Sequence, residues 1–99
     1  MNETPLVSLV ILTYNQENVI SEAINGALSQ TYENLEIIVS DDCSTDDTYE
    51  TAKRTIENYA GDKKIFLYKN EKNMGLVPHV NKIFSQYVNG EYIALAGGD

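Results

Sequence analysis

Apolar residues occur along the chain in four short runs, and stretches with helical spacing separate those runs. The runs lie at 6–12, 35–39, 64–68 and 91–95, and the first is nearly continuous, as in a parallel strand covered on both faces. Between runs, apolar residues recur with the 3.6-residue period of an amphipathic helix. The pattern predicts the order βαβαβαβ and an α/β fold of three layers with a mostly parallel sheet.

Local signals predict where two of the helices begin. Ser44, followed three residues later by Asp47, resembles a capping box for the second helix. Pro78 suits the first turn of the third helix. The inner face of that third helix is predicted to carry Val80, Ile83, Phe84 and Tyr87 or Val88.

Composition limits the class of protein. The chain has 99 residues, with 7 Lys and Arg against 15 Asp and Glu, and a net charge of -8. We expect one small domain or a piece of a larger one. The scattered basic residues exclude a nucleic-acid partner. Without a long apolar run or a signal peptide, the sequence predicts no transmembrane segment and, by default, a cytoplasmic location.

Polar side chains follow each predicted strand. Thr13, Tyr14 and Asn15 follow the first, Asp41 and Asp42 the second, the loop 70–75 the third, and Asp99 the fourth. In an open parallel sheet, ligands bind outside the carboxyl ends of the strands. The sequence therefore predicts one shared cleft at that edge.

Each of these groups has a functional and a structural interpretation. Adjacent carboxylates at Asp41 and Asp42 repel each other unless a donor or a cation is near, although they could also cap the following helix. Tyr14 could stack on a flat ring, and Thr13 or Asn15 could hydrogen-bond a ligand, but all three are ordinary turn residues.

Two further candidates concern metal ions. Asp99, after two glycines, suits a ligand of Mg²⁺ or Mn²⁺, and a solvated turn is the alternative. The single His79 has no partner at metal-binding spacing, which favours a surface or helix-start role. The turn after the first strand contains no glycine, which argues against a dinucleotide site.

Taken together, these segments resemble the start of a family 2 glycosyltransferase. The resemblance is carried by residues 5–15 (PLVSLVILTYN), 27–39 (ALSQTYENLEIIV), 41–46 (DDCSTD), 73–75 (NMG) and 90–94 (GEYIA). It implies a GT-A fold, of which this chain would be the Rossmann-like half that binds a nucleotide sugar. The implied activity is transfer of a sugar from a nucleotide-diphosphate donor, with a UDP-sugar favoured, to a glycan or lipid-linked acceptor with inversion, as in polysaccharide biosynthesis.

The resemblance also assigns roles to residues. It implies that Thr13, Tyr14 and Asn15 lie beside the nucleobase, that Asp42 accepts a hydrogen bond from the base, and that Asp41 lies in the same pocket. Asp99 matches the last Asp of the Asp-x-Asp motif, which holds Mg²⁺ or Mn²⁺ against the diphosphate. The general base would lie beyond residue 99, so we expect the chain alone to be inactive and the complete enzyme to work at the cytoplasmic face of the membrane.

Two departures from the family pattern stand out. Cys43 replaces the glycine that usually follows the two Asp residues, and Gly97 stands where the first Asp of Asp-x-Asp is usual. The second departure keeps an alternative open, namely a non-catalytic nucleotide-binding or interaction module that has lost its metal site.

Overall fold

The computed structural model describes residues 4–90 and 92–97, which form alternating strands and helices. The elements are β1 (Val7–Thr13), α1 (Ile20–Leu28), β2 (Leu35–Asp41), α2 (Thr48–Glu57), β3 (Lys64–Lys69), α3 (Leu76–Gln86) and β4 (Tyr92–Gly97). This order confirms the predicted α/β fold, and the strand boundaries lie within one or two residues of those predicted from the apolar runs.

The four strands form one parallel sheet in the order β3-β2-β1-β4. From β1 the chain winds outward through β2 to β3, and it then returns to the other side of β1 to form β4. Thr13 pairs with Asp41, and Leu12 pairs with Gly97, so the ends of β1, β2 and β4 are level. Because the winding reverses beside β1, a ligand cleft is expected at the carboxyl end of this strand.

Helices cover the sheet on both faces, and alternate residues of β2 pack against different helices. Ile37 and Val39 pack in the cluster that contains α1 and α2, whereas Ile38 packs with Ile83 of α3 on the opposite face. Burying an isoleucine of this kind contributes about 2 kcal/mol to stability. Successive strand residues point to opposite faces, so Asp41 and Asp42, at the end of β2, leave the sheet in different directions.

Two local predictions are wrong. Ser44 does not cap α2, which begins at Thr48 with Asp47 at the N-cap and without a side-chain cap from that residue; Asp46 Oδ1 instead accepts from Thr48 N at 3.0 Å. Phe84 is 39% exposed rather than on the inner face of α3. It follows Ile83 by one residue, or about 100° around the helix, and this rotation turns its side chain away from the face that Ile83 buries.

A buried carboxylate anchors the opposite, amino end of the sheet. Glu36 of β2 accepts from Ser8 Oγ at 2.5 Å and from Asn89 N at 2.9 Å, and Gly90 N donates to Ser8 Oγ at 2.8 Å. These bonds fasten the connection between α3 and β4 to the first two strands. The polar residues at this end are therefore occupied in holding the fold together.

Candidate functional site

A cavity of about 360 Å³ opens at the carboxyl ends of β1 and β2. It is lined by Leu12, Thr13, Tyr14, Asp42, Asn73, Gly75, Leu76 and His79. Its walls thus come from the turn after β1, the turn after β2, and the loop that leads into α3. The cavity lies where a parallel sheet of this topology binds its ligand, and it contains three of the residues that the sequence singled out: Thr13, Tyr14 and Asp42.

Asp42 lies in the wall of this cavity and is 5% exposed. Its Oδ1 accepts from Asn70 Nδ2 and Met74 N, both at 2.8 Å, and its Oδ2 accepts from Gly75 N at 3.0 Å. A carboxylate offers about four acceptor positions, two on each oxygen. Three of the four are filled from within the chain, so the remaining capacity is on Oδ2.

The carboxyl group of Asp42 is held in its ionised form. Burial by itself raises the pKa of Asp42, but the hydrogen bonds from Met74 N, Asn70 Nδ2 and Gly75 N outweigh burial, and the pKa falls below its ordinary value. His79 adds a smaller electrostatic contribution in the same direction. At neutral pH, Asp42 is therefore an anionic hydrogen-bond acceptor.

Gly75 is essential to this arrangement. Its φ of 84° lies in the left-handed region, where residues with a side chain are strained. In this conformation the chain turns into α3 while the N–H groups of Met74 and Gly75 converge on Asp42. The Asn73-Met74-Gly75 segment thus builds part of the cavity wall through its backbone.

Asp41 is completely buried and does not line the cavity. Its Oδ2 accepts from Ser44 N at 2.9 Å, and its Oδ1 accepts from Ser44 Oγ at 2.5 Å. Ser44 Oγ in turn accepts from Asn15 N at 2.8 Å, and Asn15 Oδ1 accepts from Thr45 N at 2.8 Å. Asp41, Ser44, Asn15 and Thr45, here called the turn clamp, join the turn after β1 to the turn after β2.

Asn15 of the turn clamp and Cys43, which precedes Ser44, both have a left-handed backbone conformation. Asn15 has a φ of 52° and Cys43 a φ of 59°. Asparagine tolerates this region well, whereas cysteine does not. The conformation of Cys43 explains why glycine suits this position, and the hydrogen bonds of Asp41 and Asp42 on either side hold the turn in place.

Thr13 and Tyr14 both line the cavity, and the Tyr14 side chain is the accessible one. In the part of the chain that the structure describes, Thr13 Oγ1 and Gln16 Oε1 are buried side-chain oxygens without a hydrogen-bond partner. Thr13 follows Leu12 on β1 and shares its side of the sheet with Ile11, so its hydroxyl lies on the side that carries α1 and α2. Tyr14 is 43% exposed, which leaves its ring accessible for stacking.

Of the two roles expected for His79, the position at the start of α3 is observed, and the residue is buried rather than at the surface. The residue is 2% exposed, and its Nε2 lies 2.7 Å from Ser40 Oγ. It precedes the buried Ile83 by four residues and so lies on the same face of the helix, which is the signal that could have predicted its burial. Burial lowers the pKa of His79, Lys82 adds to this effect, and the nearby carboxylates oppose it.

Sequence reasoning assigned no individual role to Asn70 and Lys82. Asn70 follows β3 and is buried, and its amide joins Asp42 to Lys82 Nζ, which donates to Asn70 Oδ1 at 2.8 Å. No short sequence motif predicts the hydrogen bond between Lys82 and Asn70. It becomes visible only when the end of β3 and the second turn of α3 are placed side by side.

Asp99 lies outside the described residues. The preceding strand β4 ends at Gly97, beside Leu12 of β1. Within residues 4–90 and 92–97, no group of three or more His, Cys, Asp or Glu side chains is placed to hold a metal ion. Among the same residues, none of the helices is long and apolar enough to cross a membrane.

The chain belongs to glycosyltransferase family 2. The family's model, described as "Glycosyl transferase family 2", matches residues 8–99. EpsE of Bacillus subtilis (strain 168) is 39% identical over 99 residues, which are 100% of this chain and 34% of EpsE. The Escherichia coli protein WfaP, a UDP-Glc:alpha-D-GlcNAc-diphosphoundecaprenol beta-1,3-glucosyltransferase, is 39% identical over 94 residues, which are 95% of this chain and 35% of WfaP.

A solved structure agrees with this assignment. The mannosyltransferase PcManGT of Pyrobaculum calidifontis, in complex with GDP-Man and Mn²⁺, matches 98% of this chain and 28% of its own, with a TM-score of 0.89 and 26% identity. The GT-A fold implied by the sequence is thereby confirmed. The chain spans about a third of the length of these relatives.

Proposed function

We propose that this chain is the donor-binding half of a glycosyltransferase that transfers a sugar from a nucleotide-diphosphate sugar to a glycan or lipid-linked acceptor, with inversion. The observation that carries the proposal is the ionised Asp42, held by backbone N–H groups in the wall of a cavity at the carboxyl edge of the sheet. Thr13 and Tyr14 would contact the base from the other side. A lipid-linked acceptor would bring the complete protein to a membrane surface.

The number of acceptor positions that remain free on the Asp42 carboxylate favours a uracil base. Oδ2 has capacity for one more hydrogen bond, whereas Oδ1 is filled. Uracil offers a single N–H between two carbonyl groups, but guanine offers an N–H and an amino group side by side and needs two acceptors. WfaP, which is 39% identical, is described as using UDP-Glc. We therefore propose a UDP-sugar as the donor.

Asn15 and Asp41 serve this site indirectly in our proposal. Both belong to the turn clamp and hold the two cavity-forming turns at a fixed separation. The carboxylate of Asp41 and the amide oxygen of Asn15 are occupied within the clamp rather than aimed at a base. In our proposal they stabilise the two turns and make no contact with the base.

A divalent cation, Mg²⁺ or Mn²⁺, would be held by Asp99 in this proposal. The end of β4 lies beside the end of β1, at the edge of the sheet where the cavity opens. Carboxylate oxygen is a suitable ligand for either ion. A bound cation would neutralise the charge that develops on the departing nucleotide diphosphate.

Nucleotide titration of the complete protein tests the proposal. UDP, dTDP and GDP are each titrated by calorimetry with and without Mn²⁺. We expect UDP to bind at least about tenfold more tightly than GDP, because GDP leaves a polar group unpaired. Asp99→Asn should remove the enhancement by Mn²⁺, and Asp62→Asn, an exposed control, should not. A folded protein that binds none of the three nucleotides would overturn the proposal.

The absence of an Asp at position 97 favours a second candidate, a nucleotide-binding module without catalytic activity. The same titration separates the two. UDP binding that Mn²⁺ leaves unchanged, in a complete protein that hydrolyses or transfers no sugar from UDP-sugars, would favour the module. Binding that Mn²⁺ strengthens and Asp99→Asn weakens favours the transferase.

A further inference from the structure

A chain of two hydrogen bonds runs from the second turn of α3 to Asp42. Lys82 Nζ donates to Asn70 Oδ1 at 2.8 Å, and Asn70 Nδ2 donates to Asp42 Oδ1 at 2.8 Å. Asn70 is 2% exposed, and neither Asn70 nor Lys82 is among the residues that line the cavity. The pair therefore influences the cavity through Asp42.

The chemistry of the two ends determines how the Asn70 amide is oriented. An ammonium group has donors and no acceptor, whereas an ionised carboxylate has acceptors and no donor. Only one orientation satisfies both, with Oδ1 of Asn70 towards Lys82 and Nδ2 towards Asp42. Both hydrogen bonds involve a charged group, and such bonds are roughly twice as strong as neutral ones.

We propose that Lys82 is a positioning residue for the donor nucleotide, acting through Asn70 to keep Oδ1 of Asp42 filled and Oδ2 as the oxygen available to the base. This inference rests on the proposed function, because it concerns the same carboxylate. Without the ammonium group, the amide loses the charge that orients it, and Asp42 loses part of the donation that favours its ionised form. The base-binding carboxylate then takes up a proton more readily.

Other titratable groups near Asp42 must be separated from this effect. They are His79 on α3, Asp41, which precedes Asp42 in the chain, and Tyr14 at the turn after β1. Lys82 also lowers the pKa of His79, so its removal could act through the imidazole instead of through Asn70. The test therefore has to distinguish these two routes.

The first measurement follows Asp42 directly. The ¹³C resonance of its carboxyl group is titrated in the complete protein without nucleotide, for the wild type, Lys82→Met, Lys82→Arg and the control Lys53→Met on the exposed side of α2. We expect Lys82→Met to raise the midpoint by about half to one pH unit, Lys82→Arg to restore it, and Lys53→Met to leave it unchanged. An unchanged midpoint in Lys82→Met would overturn the proposal.

The second measurement tests the route by a double-mutant cycle. UDP affinity is measured against pH for Lys82→Met, Asn70→Ala and the double variant; the phosphates of UDP titrate alike in all of them. If Lys82 acts through Asn70, the double variant behaves like Asn70→Ala alone. A full additional effect of Lys82→Met in the Asn70→Ala background would overturn the proposal and indicate the route through His79.

The two measurements distinguish a failure of this inference from a failure of the proposed function. If the folded wild type binds no UDP, the proposed function fails, while the carboxyl titration still decides whether Lys82 controls Asp42. If UDP binds and Lys82→Met shifts neither the carboxyl midpoint nor the affinity profile, the proposed function stands and the role of Lys82 falls. If Asn70→Ala does not fold, the sign of the shift in Lys82→Met decides, because loss of Lys82 favours the cationic imidazole of His79, which would lower the Asp42 midpoint and not raise it.

Discussion

Asp41 and Asp42 are adjacent carboxylates at the end of one strand, yet their surroundings differ completely. Asp41 binds Ser44 and holds the turn clamp together, on the side of the sheet that carries α1 and α2. Asp42 turns towards α3, accepts three hydrogen bonds and lines the cavity. One carboxylate joins the two turns, and the other lies in the wall of the cavity.

The two regions differ in how much hydrogen-bonding capacity their polar groups leave without a partner. In the turn clamp, side-chain oxygens and backbone N–H groups pair with one another across the two turns. In the cavity, Asp42 Oδ2 keeps capacity for one more hydrogen bond, and the Tyr14 ring stays accessible. Unused hydrogen-bonding capacity beside a cavity favours ligand binding there, whereas the paired groups of the turn clamp hold the two turns together.

Removal of Asp41 should produce the largest loss of stability. Asp41→Ala leaves the N–H and hydroxyl groups of Ser44 without their buried acceptor, and we expect the free energy of unfolding to fall by about 3 kcal/mol. Urea unfolding of the complete protein measures this loss. The exposed Asp62→Ala should change stability by less than about 0.5 kcal/mol, and equal losses for both variants would contradict the clamp.

The second-largest effect is expected from acid, which should lower the stability of the folded protein through Asp42. The folded pKa of Asp42 lies below its ordinary value of 3.8, so its contribution is complete above the unfolded pKa and is lost as pH falls through the folded pKa. We expect urea midpoints to fall below about pH 4. Asp46, whose pKa is also lowered, contributes to the same decline. In Asp42→Asn, the urea midpoint should depend less steeply on pH. The same pH dependence as in the wild type would contradict an ionised, hydrogen-bonded Asp42.

Truncation of Ser44 tests the clamp more gently. Ser44→Ala removes the hydroxyl that joins Asp41 to Asn15 but keeps the backbone N–H bond to Asp41. We expect a loss of about 1–2 kcal/mol in the free energy of unfolding. The exposed Ser85→Ala provides the matched control. UDP affinity of the folded variant should change by less than about threefold, since the hydroxyl lies outside the cavity.

The smallest expected effect concerns the residue between the two regions. Cys43 has a φ of 59°, a conformation that costs a side-chain-bearing residue about 1 kcal/mol and glycine nearly nothing. Cys43→Gly should therefore raise the free energy of unfolding by about 0.5 kcal/mol, after allowance for the greater freedom of glycine in the unfolded chain. Cys43→Val should lower it, and a stabilising valine would show that this turn is not strained.

Much of the fold could be predicted from the sequence, because continuous apolar runs and helical spacing follow directly from burial on two faces. Thr13, Tyr14 and Asp42 were expected in one cleft, and the parallel topology brings them there. The division of labour between Asp41 and Asp42 was not predicted. Strand alternation carried the signal, since Asp41 shares its side with Val39 and Asp42 with Ser40, but the position of α3 was needed to interpret it.

The other departures have the same origin in tertiary contacts. Ser44 matches a helix-capping pattern, yet a buried carboxylate three residues earlier binds it more strongly. The link from Lys82 through Asn70 joins residues that are 12 positions apart and belong to different elements. Local pattern predicts elements well, but it does not predict which polar groups will meet when the elements pack.

The most direct test of the account compares two isosteric substitutions in the complete protein. Calorimetric titration with UDP at neutral pH is carried out on the folded Asp42→Asn and Asp41→Asn variants, with folding checked by circular dichroism. We expect Asp42→Asn to weaken UDP binding by more than about tenfold, and Asp41→Asn to lower stability while leaving affinity within about threefold. Equal losses of affinity, or a greater loss for Asp41→Asn, would contradict the proposed roles of the two carboxylates.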